Sequence, residues 1–127
     1  MSWTSNTARV TSALREAVGQ GLSAGGHLYA NAVKRGLRGG YTSGTFVTGT
    51  SVSSVQVTPP EMAGGVLQVR VGTNLMYNLF WEIGHQNLFT GRFERVEVWR
   101  PALLANTAAI RERILTVASV RLQEMAA

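Results

Sequence analysis

The stretch Pro59-Pro60-Glu61-Met62-Ala63-Gly64-Gly65-Val66-Leu67-Gln68-Val69-Arg70-Val71 decides the fold. Its second half alternates: Leu67, Val69 and Val71 fall on one side and Gln68 and Arg70 on the other, the period of a strand with one wet face. Upstream, Val55 and Val57 alternate with Ser and Gln over residues 52–58, and Thr45-Phe46-Val47-Thr48 reads as a further extended piece. The segment from Pro59 to Gly65 is a turn region by composition. The expectation is an extended antiparallel hairpin over residues 45–71, with the apolar side inward.

A sheet of this size needs a cover, and both ends of the chain supply one. Over residues 7–35, Val10, Leu14, Ala17, Val18, Gly21, Leu22, Leu28 and Ala32 recur at spacings of three and four, one apolar stripe of a helix. Thr4, Ser5 and Asn6 offer capping side chains before it, and Gly36 stands as a stop after it. Gly19, Gly21, Gly25 and Gly26 each cost about 1 kcal/mol relative to Ala in a helix interior. They predict a kink or break near Gly25, and they would also allow another backbone to approach closely. Pro101 opens a second helix, proline being tolerated at the first helical position, and Leu103, Leu104, Ile110, Ile114, Leu115, Val117, Ala118, Leu122 and Met125 give it a wide apolar face. Between them, residues 85–94 read as a long loop leading into a short strand over residues 95–99.

The order helix, hairpin, aromatic segment, loop, strand, helix predicts an α+β fold. It is a small antiparallel β-sheet, the hairpin plus one or two further strands, with an N-terminal and a C-terminal helix packed on one face. At 127 residues it makes a single domain.

Composition narrows the chemistry. Hydrophobic residues are 45% and charged residues 15% of the chain, well under the ~25% charge of an average domain, as expected where neighbouring subunits cover surface. A surface built from neutral Ser, Thr and Gly explains the deficit equally well. Eleven of twelve basic residues are Arg, all seven acids are Glu, and the net charge is +5. The arginines are scattered, without the dense run that marks a nucleic-acid patch. Without Cys or Asp there is no thiolate nucleophile, zinc ribbon or Asp dyad. No signal-peptide pattern opens the chain and no run nears the ~20 apolar residues of a membrane helix, so a soluble protein made in the cytoplasm is expected.

The motifs with chemical potential are incomplete. Gly19-Gln20-Gly21-Leu22-Ser23-Ala24 matches a dinucleotide-binding pattern in letters only, because it lies inside a helical stripe and not after a strand. Glu82 and His85 in Tyr77-Asn78-Leu79-Phe80-Trp81-Glu82-Ile83-Gly84-His85 form half of a carboxylate-metal motif, but the second half is missing. Serines lack a G-x-S-x-G elbow. A hydrolase using Glu82 and His85 is the third-ranked reading, and the expectation is a non-enzyme without cofactor or metal. Phe80, Trp81, Phe89, Phe93 and Trp99 interleave with Arg92, Arg95 and Arg100, a composition shared by protein interfaces and single-stranded nucleic-acid binders.

Two segments carry a resemblance. Tyr77 followed by Trp81, Glu82 and Gly84, and then Arg100-Pro101-Ala102-Leu103 after Val98 and Trp99, in this order of elements, resemble the tail-completion or head-to-tail joining (neck) proteins of long-tailed bacteriophages. That family is related to tail terminators, and the likeness spans nearly the whole chain. Two departures stand out: the usual acidic-Thr-Gly sequence before the first strand appears only as Tyr41-Thr42-Ser43-Gly44, and His85 replaces a common Thr.

The resemblance implies a virion structural protein of the phage neck or tail. Such proteins form homo-oligomeric rings, usually of six subunits and less often twelve, between the connector or portal side and the tail tube. Genome DNA passes through the lumen without sequence-specific binding. Tyr77, Trp81, Glu82, Gly84, Phe89, Phe93, Trp99, Arg100 and Pro101 are then interface or structural-motif residues, with Glu82 held by an arginine, Arg100 first among them. Most arginines are expected to face partners or the exterior, because a cationic wall would retard a moving polyanion. The alternative function is a small basic nucleic-acid-binding module.

Overall fold

The computed structural model describes residues 3–38, 52–74, 82, 85–86, 89, 91–94 and 97–126. Helix α1 spans Trp3–Arg38 and helix α2 spans Trp99–Ala126. They run antiparallel: Val98 meets α1 at Gly36, Ile110 and Ile114 meet it at Gly25, Ala118 at Gly21, and Arg121 reaches Glu16. The glycines explain how close the helices come. A methyl built on Gly25 would lie 2.6 Å from Ile114 Cγ1, so only a residue without a side chain lets the two backbones approach this far.

Neither a break nor a stop appears at the expected glycines. α1 continues unbroken through Gly25 and past Gly36, which lacks the positive φ of a helix-ending glycine. Packing overrides propensity at both: Gly25 admits Ile114 and Gly36 admits Val98.

The hairpin forms as expected, with a narrower span and an added irregularity. Strand β1 (Gln56–Val57) pairs antiparallel with β4 (Val71–Gly72), and β2 (Glu61–Ala63) pairs with β3 (Val66–Gln68). Between the two ladders, Pro59 and Pro60 stand opposite the single residue Val69, so the strand carries a bulge. Proline has no N–H to donate, which confines it to such positions. The Thr58 hydroxyl accepts the Arg70 N–H at 2.9 Å, while the Thr58 N–H donates to the Arg70 carbonyl at 2.9 Å. The turn proper is Gly64-Gly65, with φ of 58° and 80°. Two central residues with positive φ make a type I′ hairpin turn, whose twist matches that of the strands.

Residues 52–53 form a helical turn and not the start of a strand, and the pairing begins at Gln56. This turn carries Val55 into the core, while the Ser54 hydroxyl meets the Thr73 hydroxyl at 2.7 Å. The expected extended piece over residues 45–48 lies outside the described residues.

The expected loop over 85–94 contains a further pairing: β5 (His85–Gln86) lies antiparallel to β6 (Phe93–Glu94). The expected strand over 95–99 is overturned at its end, because Trp99 is already the first residue of α2.

The α+β class stands: two terminal helices pack against a small antiparallel β region. The inner hairpin face is the one read from sequence. Leu67 and Pro60 approach Gly19, and Val57, Val69 and Val71 approach Gly26. The core sits toward the C-terminal half of α1, where Ala30, Val33, Leu37, Val55 and Val98 are buried with Tyr29, Trp99 and Ala102 packed around them. Outside it, α2 is poorly covered. Leu103, Leu104, Leu115 and Val120 are exposed, as are Val10 and Leu14 on α1. Among the described residues no helix is long and apolar enough to cross a membrane.

Candidate functional site

The Glu82 carboxylate lies at the start of α2. Its Oε1 accepts the N–H of Val98 at 2.7 Å and of Trp99 at 2.9 Å, and its Oε2 accepts the N–H of Arg100 at 3.1 Å. The first backbone N–H groups of a helix have no partner within it and need one from elsewhere. Pro101 has no N–H to satisfy, and the Ala102 N–H makes the first helical bond, to the Val98 carbonyl at 3.1 Å. Every donor of the opening turn is therefore accounted for. The first turn of α2 holds no acidic residue of its own, so Glu82 also brings the negative charge that a helix N-terminus favours.

This corrects the expectation that the Arg100 guanidinium holds Glu82. The backbone N–H of Arg100 does so, together with those of Val98 and Trp99. With the carboxylate used as a cap, the Glu82 and His85 pair has an alternative explanation to catalysis. Among the described residues no three His, Cys, Asp or Glu side chains cluster to hold a metal ion.

Tyr29 of α1 completes this corner and was not singled out from sequence. Its hydroxyl donates to the Trp99 carbonyl at 2.8 Å, and its ring meets the Trp99 indole edge-on, centroids 6.2 Å apart at 75°. Such edge-to-face pairs contribute about 0.5–1.5 kcal/mol beyond area burial. Burial first, and the nearby Glu82 charge second, push the Tyr29 hydroxyl above its ordinary pKa. The available signal was a tyrosine on a helix face otherwise lined by small residues, a group whose polar tip needs a partner when it packs inward.

Of the other predicted residues, Tyr77, Trp81 and Gly84 lie outside the described residues. Phe93 on β6 is 67% exposed, and Phe89 in the segment joining β5 to β6 is fully exposed. Neither ring is buried in this chain on its own. The structure thus joins Glu82, Trp99, Arg100 and Pro101 in one corner and leaves Phe89 and Phe93 on the surface.

Comparison with family models, with curated proteins and with solved structures finds no match in any of the three.

Proposed function

We propose that this chain is a structural protein of a bacteriophage virion, forming a homo-oligomeric ring at the neck or head-proximal end of the tail. There it joins the head connector to the tail tube, the role of tail-completion and tail-terminator proteins. The observation that carries the reading is the Glu82 cap. The segment containing Glu82 and the segment opening at Arg100 are the two on which the resemblance rests, and three hydrogen bonds tie them into one unit.

The uncovered surface supports assembly. A helix with apolar residues on several sides is normally buried, and α2 presents Leu104, Leu115 and Val120 to solvent. Phe89 and Phe93 add aromatic surface of the kind enriched at interface centres. Rings of six copies are the favoured form, twelve the alternative, with no enzymatic step or cofactor. Light scattering and negative-stain electron microscopy of the purified chain test this. Closed rings are expected, and a chain that stays monomeric even with connector and tail-tube proteins present overturns the reading.

A further inference from the structure

We propose that the hollow between α1 and α2 lined by Ala24, His27, Leu28, Asn31, Arg35 and Arg113 is an anion site that takes phosphate groups of a nucleic-acid backbone. The hollow has a volume of about 400 Å³, ample for a phosphodiester and its sugar. It shares no lining residue with the Glu82 corner, and none of the described hairpin residues lines it; the hairpin covers the side of α1 carrying Gly19 and Gly26.

Charge identifies the ligand class. Among the described residues no carboxylate lines the hollow; Glu112 belongs to the adjoining depression, which Arg113 also borders. Other arginines are spent on acids: Arg70 on Glu61, and Arg121 on Glu16 and Glu124. Among the described residues neither Arg35 nor Arg113 has such an ion pair. Lys34 and Arg38 extend the same face, since residues 27, 31, 34 and 38 follow the four-three-four spacing of one helix row. Like charges this close repel by a few tenths of a kcal/mol per pair, offset in part by the C-terminal end of the α1 dipole. A bound anion removes the remainder.

The lining selects phosphate over bases. Guanidinium groups match phosphate oxygens bidentately, and the Asn31 amide and His27 ring add donors. Among the described residues no aromatic ring lines the hollow, so bases have nothing there to stack on, and the contact is independent of sequence. The row from residue 27 to 38 is about 16 Å long, some five base-pair steps of duplex. This site is distinct from the aromatic and arginine-rich stretch over residues 80–100. It involves a minority of the eleven arginines, so it agrees with a ring whose other arginines face outward.

Binding of a labelled short DNA duplex to the full chain, followed by fluorescence anisotropy over a range of salt, tests the site. With about three cations engaged, log K against log salt should fall with a slope near −3. Arg35→Gln with Arg113→Gln should flatten that slope by about two and weaken binding about tenfold or more at low salt. The Arg35→Lys with Arg113→Lys variant should keep the slope, and Arg9→Gln at the far end of α1 should behave as wild type. Absence of binding by the wild type, an unchanged slope in the double Gln variant, or tighter binding of poly-glutamate than of duplex each overturns the proposal. The last would assign the face to an acidic protein. Light scattering reports on the ring separately, so a monomer that binds DNA would sink the ring and leave this site standing.

Discussion

Gly21 and Ile114 are in main-chain contact: a methyl group built on Gly21 would stand 2.5 Å from the Ile114 carbonyl oxygen. The obstacle is backbone, held by the hydrogen bonds of α2, and it cannot swing aside as a side-chain tip would. Gly21→Ala gains about 1 kcal/mol of helix propensity but forces the helices apart, and overpacking of this kind costs about 1–3 kcal/mol. Thermal unfolding should show a net loss of stability. Gly26→Ala, whose methyl would meet valine side chains at 3.1 Å, should lose less. A Gly21→Ala protein as stable as wild type would contradict this packing.

Removing the Glu82 cap should weaken α2 at its start. Glu82→Ala leaves the Val98, Trp99 and Arg100 N–H groups without their acceptor, and loss of a cap costs about 0.5–2 kcal/mol. Glu82→Gln keeps one oxygen acceptor and should cost less than half as much. Urea unfolding of the two variants measures the difference, and equal losses would mean that charge, not the hydrogen bonds, carries the effect.

Alkaline stability should depend on Tyr29. Its folded pKa is raised above the ordinary value of 10.0, so above that value the folded state holds a proton that the unfolded state releases. The stabilisation is therefore complete below pH 10.0 and is lost as pH rises through the higher folded value. Tyr29→Phe, by removing the hydroxyl bond to Trp99, should cost about 1 kcal/mol near neutrality and flatten the alkaline limb of a stability-against-pH curve. An alkaline limb of undiminished steepness would show that other groups cause it.

The β2–β3 turn separates backbone strain from crowding. Among the described residues nothing lies within 4 Å of a methyl built on Gly64 or Gly65, so the penalty there comes from positive φ. Gly64→Asn should be nearly neutral, because asparagine suits the first position of this turn, whereas Gly65→Val should cost upward of about 1 kcal/mol. Chemical denaturation distinguishes them.

If Phe89 and Phe93 serve assembly, Phe89→Ser with Phe93→Ser should shift light-scattering mass downward while leaving monomer stability within about 0.5 kcal/mol, as for other exposed positions. Full-sized rings from this variant would remove both residues from the interface.

The α+β class and the inner face of the hairpin were legible because alternation at Leu67, Val69 and Val71 is a local signal with a single physical solution. The glycines of α1 were legible as a weak point of the helix and as room for another backbone, and what fills that room could not be read locally, since Ile114 and Val98 are distant in sequence. The start of α2 was misplaced for a related reason. Trp99 resembles a strand residue by propensity, but a carboxylate seventeen positions upstream caps the helix there. The loop over 85–94 hid a pairing of two residues on each side, too short to imprint a period. Glu82 was recognised as needing a partner; that three main-chain N–H groups at the start of α2 serve as such depended on how the chain returns there.

The Glu82 cap also bears on the order of folding. An isolated peptide covering α2 would lack its acceptor for the opening N–H groups, so its first turn would fray, helices in proteins drawing most of their stability from tertiary packing. The beginning of α2 is thus written in a part of the chain made before it. Its first turn should gain protection against hydrogen exchange only when the segment carrying Glu82 has docked, so that the two mature together as one cooperative unit.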